Sequence, residues 1–298
     1  MTKAFCVAGH TFHLELPDGS PLWPLLTQYD GFVTEPVEDP LFVLSAVESL
    51  PETDKTPLYI AEAEDEGQPR LDLYSCKEGC LVEMAPLLSL PPCARMLMSP
   101  DYSKGRIEFL NRSKSSAVFA VNNSLMLMFA FCSAPYKTLE MHASVIMNGG
   151  KGYLFLGRSG TGKSTHSSLW LKYIEGSELM NDDNPVIRVC EDGVTRVFGS
   201  PWSGKTPCYR NVSAPIGAIV RIRQAKFNAI KRNNTIEAYA SVYSSCSGFK
   251  ADRGMADGQH KTLEHIALHV PCYTLDCLPD EEAARVCAAA VRGEVRDE

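Results

Sequence analysis

Eight residues, Gly157-Arg158-Ser159-Gly160-Thr161-Gly162-Lys163-Ser164, fit the P-loop pattern G-x-x-x-x-G-K-[S/T]. They stand between an apolar β-forming run, Tyr153-Leu154-Phe155-Leu156, and a helix-forming stretch that opens at Thr165 and closes at Gly176. Glycines admit positive φ, so successive N–H groups can converge on one anion. The start of a helix just after Gly162 adds the positive end of its dipole to that cradle. In that arrangement Lys163 can reach the β- and γ-phosphates of a nucleotide, and the Ser164 hydroxyl can ligate Mg²⁺. Gly157, Ser159, Gly160, Thr161, Gly162 and Thr165 complete the expected binding set. By composition alone the pattern arises in roughly one chain per hundred of this length. Here a strand precedes it and a helix follows it, as the mechanism requires.

Nineteen residues beyond Lys163, the run ending at Met180 delivers Asn181-Asp182-Asp183. A carboxylate at a strand end beside such a turn is placed to hold Mg²⁺, directly or through water. A second, adjacent carboxylate can accept a proton from an attacking hydroxyl. Without the turn, the same residues read as an ordinary Asp-Asp turn before Pro185.

The combination GRSGTGKST with NDD resembles the nucleotide site of phosphoenolpyruvate carboxykinases and of the HPr kinase/phosphorylase catalytic domain, which share a fold. The segment MHASVIMNGGKGYLFLG looks more like the HPr kinase side. The resemblance covers residues 140 to 190 well, the remaining C-terminal part loosely, and the N-terminal region not at all. It implies phosphate and Mg²⁺ contacts for Gly160, Gly162, Lys163 and Ser164, and base and metal roles for Asp182 and Asp183. The expectation leans to Asp182 as base and Asp183, with Ser164, as metal ligand. His142 matches a histidine beside the transferred phosphate. The glutamate-arginine-glycine signature that follows the acidic pair in HPr kinases does not occur, which separates this chain from HPr as acceptor.

The expected fold is α/β, a phosphoenolpyruvate carboxykinase/HPr kinase-like P-loop core over residues 113–298 with a β-rich region over 1–112 whose role is open. In the first region, short runs around HTFHLEL, LFVLSAVE, PLYIAEAE, RLDLYS, CLVEMA and RIEFL alternate with turn formers and predict meanders. From residue 113, apolar positions at helical spacing run to Pro135, and Asn148-Gly149-Gly150 joins two β-runs as a hairpin. VTRVFG and IGAIVRIR predict further strands, and PDEEAARVCAAAVRG predicts a helix with an acidic first turn.

The formal net charge of −7 argues against nucleic acid as main partner. The apolar stretch 124–134 is too short for a membrane span and reads as a buried helix. No secretory leader is expected, and eleven cysteines without a Cys-x-x-Cys pair predict reduced thiols and a cytoplasmic protein. A Cys76–Cys80 bridge is a weaker alternative.

Among lesser candidates, Lys205 in the loop SPWSGKTP can neutralise phosphate charge and Trp202 can wall out water, or the loop is a surface feature with one anchor. Arg158 reads as solvent-facing and His166 as packing. Arg221 and Arg223 share a strand face, where they clamp an anion or meet solvent. His265 and His269, four apart with His260 nearby, can share zinc, but packing and exposure are the adopted readings. The expected activity is transfer of the γ-phosphate of ATP, with Mg²⁺, to a hydroxyl on a protein, peptide or small molecule. An NTP hydrolase or switch and an inactive nucleotide-sensing module are the alternatives. Homo-oligomers are possible by the same resemblance.

Overall fold

Short runs of β-branched and aromatic residues cut by turn formers make strands, and the computed structural model of the chain describes residues 1–62, 69–204, 206–248 and 253–293. Contacts divide the chain into Met1–Ser133 and Ala134–Glu298.

In the first unit nine strands form one mixed sheet among the described residues. They are β1 (Thr2–Val7), β2 (His10–Glu15), β3 (Val33–Thr34), β4 (Val43–Val47), β5 (Lys55–Tyr59), β6 (Arg70–Cys76), β7 (Gly79–Ala85), β8 (Ala94–Met98) and β9 (Lys104–Phe109). Their order, β3-β1-β2-β4-β9-β8-β7-β6-β5, contains the expected antiparallel meander from β5 to β9. The other half is not a meander, because β4 runs parallel to both β2 and β9. The last two residues of PLYIAEAE fall outside the described residues.

All eleven cysteines are free thiols. Cys76 pairs across the β6–β7 hairpin with Gly79, and Cys80 pairs with Ser75. The two thiols therefore project from opposite faces of the sheet and do not meet.

Helix α1 (Lys114–Ser133) packs on this sheet, with the Phe129 ring edge-on to Phe12 and Met128 filling the space above Gly105. The unit boundary accordingly falls after α1, twenty-one residues beyond the composition change at 113, because the apolar face of the helix is spent on the first sheet. Residues 114–136 are long and apolar enough to cross a membrane, yet 72% of the most apolar window is buried. Asn122 in mid-helix accepts a hydrogen bond from the Tyr29 hydroxyl at 2.9 Å, as in a core helix.

The second unit contains β10 (Thr138–Glu140), β11 (Ala143–Asn148), β12 (Lys151–Leu156), α2 (Lys163–Tyr173), β13 (Glu178–Asp183), β14 (Val186–Val189), β15 (Thr195–Phe198), β16 (Ser213–Gln224), β17 (Ala229–Arg232), α3 (Thr235–Tyr243), α4 (Arg253–His269), β18 (Cys272–Cys277) and α5 (Glu281–Val291). The sheet order is β10-β14-β15-β16-β12-β11-β13, with β18 joined to β16 and β17 to β18. Gly149 and Gly150, at φ +57° and +75°, make the two-residue turn of the β11–β12 hairpin. That double positive φ is why the Asn-Gly-Gly signal is legible.

Alternate residues of the central strands feed two cores. Val145, Leu154, Leu156 and Ile219 pack with Ala238, Val242, Leu263 and Ile266 from α3 and α4. Ile146, Phe155, Ala218 and Val220 pack with Trp170, Ala283 and Cys287 from α2 and α5. A sheet covered on both faces leaves only its edges for chemistry. Register gathers four chain segments at one edge: Ala143 pairs with both Leu156 and Asp183, and Leu156 pairs with Arg221. The edge lies at the C-terminal ends of β12, β13 and β16, where open α/β sheets bind ligands.

Candidate functional site

Leu156 ends β12 and the chain turns at once into the glycine segment. A side-chain Cβ on Gly157 would collide with Thr161 Oγ1 where that hydroxyl now stands, so the turn as folded takes glycine there. Thr161 closes the turn, donating from both N–H and Oγ1 to the Arg158 carbonyl. Gly160 and Gly162 hold φ of +80° and +102°. Gly162 is the N-cap of α2 and has no side chain to offer, so the first-turn N–H groups at Lys163, Ser164 and Thr165 lack a side-chain cap.

The Lys163 amine folds back over the turn. It is 8% exposed and donates to the Gly157 carbonyl at 3.1 Å and to His142 Nε2 at 2.7 Å. Burial lowers its pKa, and the nearby charges of Asp183 and Asp182 partly oppose that shift. On the far side of the ring, His142 Nδ1 lies 3.0 Å from Asp183 Oδ1. With Lys163 donating at one nitrogen and Asp183 accepting at the other, the ring carries its proton on Nδ1. A second link is independent of this chain: the Ser164 hydroxyl donates to Asp182 Oδ1 at 2.9 Å. The structure thus pairs Ser164 with Asp182 and His142 with Asp183.

The backbone at the acidic pair is unusual. Asp183 has φ +121°, a region that costs a non-glycine residue of the order of 1–3 kcal/mol and survives only where neighbours enforce it. The enforcing neighbours lie in the loop after β15. Gly204 N–H and Ser203 Oγ both donate to the Asp182 carbonyl, at 2.6 and 2.9 Å. Trp202 is fully buried and anchors that loop; it does not wall the site. The side-chain amide of Asn181 donates to Ser200 Oγ and to the Trp202 carbonyl, and its oxygen accepts from Asn184 N–H. Lys205 lies outside the described residues.

Under this cluster sits Glu140, 1% exposed, and among the described residues neither of its carboxylate oxygens has a hydrogen-bond partner. Burial, and then the charge of Asp183, push its pKa well above the carboxylate range. Sequence reasoning passed over Glu140 and Asn181. Asn181 opens the Asn-Asp-Asp motif but received no role of its own, and Glu140, two residues before His142, follows no motif.

Two cavities flank the glycine turn. The larger, about 670 Å³, opens beside His142, Gly157 and Arg158 and continues to Arg221 and Arg223 of β16 and the serines at the end of α3. The smaller, about 380 Å³, opens beside Gly160, Thr161 and Thr165, with Leu169, Ile222 and Pro279 as apolar walls.

The remaining candidates are structural. His166 is 2% exposed and accepts from Trp170 Nε1 at 3.1 Å, and burial pushes its pKa down to about 4. His265 and His269 stack at 4.3 Å on α4, while His260 stacks instead on Tyr239 and Tyr243. No group of three or more metal-ligating His, Cys, Asp or Glu occurs among the described residues. Against protein-family models and against curated proteins the chain finds no match.

Proposed function

We propose that the chain is an ATP- and Mg²⁺-dependent phosphotransferase with an HPr kinase-like P-loop core. One observation carries the reading: two side-chain links, Ser164–Asp182 and Lys163–His142–Asp183, converge on the uncapped start of α2 between two cavities. The free N–H groups and Lys163 suit the β- and γ-phosphates of a nucleotide. The smaller cavity, with its apolar walls, suits the base and ribose.

Ser164 and Asp182 supply hard oxygen donors, and Mg²⁺ at phosphates needs only one or two protein oxygens beside phosphate and water. These two residues would hold the ion, which when bound neutralises charge on the phosphates. Asp183, about a third exposed and oriented by His142, which itself lines the larger cavity, would accept the acceptor's proton. This reverses the roles that the resemblance favours for the two aspartates. An acceptor oxygen bonds the γ-phosphorus as the bond to the β-bridging oxygen breaks. The hydroxyl proton passes to Asp183 and ADP leaves.

An acceptor cavity beside the phosphate turn supports transfer over hydrolysis, and eleven free thiols fit a reducing compartment, the cytoplasm. The test is incubation of lysate with γ-labelled ATP and Mg²⁺, using wild type, Lys163→Ala and Asp183→Asn. A labelled species that depends on both side chains supports the reading. Release of labelled phosphate without any labelled acceptor turns it into a hydrolase, and ATP binding with neither product into a sensor.

A further inference from the structure

The larger cavity has an unbalanced wall. Four cationic side chains reach it, Arg158, Arg221, Arg223 and Lys231, against two carboxylates, Asp276 and Glu237. Both carboxylates are taken. Asp276 receives both arms of Arg223, at 2.7 and 2.8 Å, and Glu237 receives Lys231 at 2.9 Å. Among the described residues no carboxylate pairs with Arg158 or Arg221.

Arg221 is the better placed of the two. It projects from β16 one strand from Leu156, at the edge that carries the glycine turn. Among the described residues its guanidinium donates only to neutral oxygens: the hydroxyls of Ser241, Ser244 and Ser245, at 2.8, 2.6 and 3.0 Å, and the Ser241 carbonyl. The C-terminal end of α3 offers it about half a negative charge through the helix dipole, so the guanidinium stays under-compensated. Burial and the charge of Arg158 lower its pKa, the response expected of a cation that lacks a counter-ion. The three hydroxyls around it rotate, so they can turn their hydrogens toward an incoming anion.

We propose that Arg221, with Arg158, holds the carboxylate or phosphate of a small acceptor whose hydroxyl points to His142 and Asp183. The inference rests on the phosphotransferase reading and names its substrate class: a small hydroxyl compound that carries its own oxyanion. The volume, about 670 Å³, lies within the range of small-molecule pockets. Its position on the Gly157 and His142 side of the turn separates it from the pocket suited to the nucleoside. An Arg fork with hydroxyls around it is the geometry that recognises carboxylate and phosphate.

The test is calorimetric titration of D-glycerate and of inorganic phosphate into the full chain saturated with Mg²⁺ and the non-hydrolysable analogue AMP-PNP. Expected is saturable binding of at least one anion, weakened about tenfold or more in Arg221→Gln, with AMP-PNP affinity unchanged within about twofold. Arg158→Ala, which removes an exposed side chain, weakens the anion in the same direction. AMP-PNP binding with neither anion bound overturns the acceptor inference alone. An Arg221→Gln chain that loses AMP-PNP affinity in step with the anion also overturns it, because the arginine then serves the nucleotide. Arg221-dependent phosphate binding without AMP-PNP binding removes the phosphotransferase reading, and the acceptor role with it.

Discussion

Ser164 donates its hydroxyl hydrogen to Asp182 Oδ1 at 2.9 Å, tying the first turn of α2 to the end of β13. Asp183, the next residue, points instead to His142. The two carboxylates therefore have different partners, and their substitutions should separate. Asp182→Asn removes the anionic oxygen from the proposed metal pair, so Mg²⁺ should no longer strengthen ATP binding, a loss of about tenfold or more. Asp183→Asn should keep the Mg²⁺ effect while label transfer in lysate falls about a hundredfold. Titrations of ATP with and without Mg²⁺, run beside the labelling assay, decide; the opposite pattern would return the base role to Asp182.

The close approach of Gly157 to Thr161 gives a second expectation. Gly157→Ala drives a methyl group into Thr161 Oγ1. Either Thr161 Oγ1 turns away from the Arg158 carbonyl or the turn opens, which should cost about 1–3 kcal/mol of stability and weaken ATP binding. Thr161→Ala in the same chain removes the colliding atom and should restore part of both. Thermal denaturation and nucleotide titration on the single and double variants measure this, and an unstable double variant would show that Thr161 is not the obstacle.

Glu140 predicts a pH dependence whose sign can be worked out. Its folded-state pKa lies above the value of 4.5 for a free glutamate. Stability from this group is thus complete below about 4.5, and is lost as pH rises from there through the raised folded pKa. The slope is at most about 1.4 kcal/mol per pH unit for one proton. Glu140→Gln is neutral throughout and should flatten that decline. Urea denaturation of both chains at pH 5, 7 and 9 is the measurement; parallel profiles would mean that Glu140 titrates normally.

Asn181 holds the loop that imposes positive φ on Asp183. Asn181→Ala removes the side-chain amide that donates to Ser200 Oγ and to the Trp202 carbonyl, leaving these two with their bonds to each other's residue and to Asn184. A loss of about 2–4 kcal/mol is expected, together with reduced label transfer because Asp183 relaxes. Chemical denaturation checks the first part. Full transfer activity in a destabilised variant would show that the loop does not set the geometry of Asp183.

Features that depend on neighbours in sequence are legible in the chain itself. The hairpin at Gly149-Gly150, the glycine turn and the helix α5, whose N-cap Asp280 accepts from Ala283 N–H, rest on φ preferences and capping within a few residues. Other local signals were passed over: Asn234 and Glu237 form a full capping box at the start of α3. Strands β1, β3, β8, β10, β17 and β18 were also missed, because short strands are defined by the partners that complete their hydrogen bonds and those partners lie far away in sequence.

The chain's own sequence determined that a strand, a glycine turn and a helix follow one another, since local backbone preference decides each of them. Only the tertiary structure decided which aspartate meets Ser164 and which meets His142, and that Arg221 stands without a carboxylate. Those relationships join residues 18 to 41 positions apart through strand register. A shift of one residue would turn each side chain to the other face of the sheet.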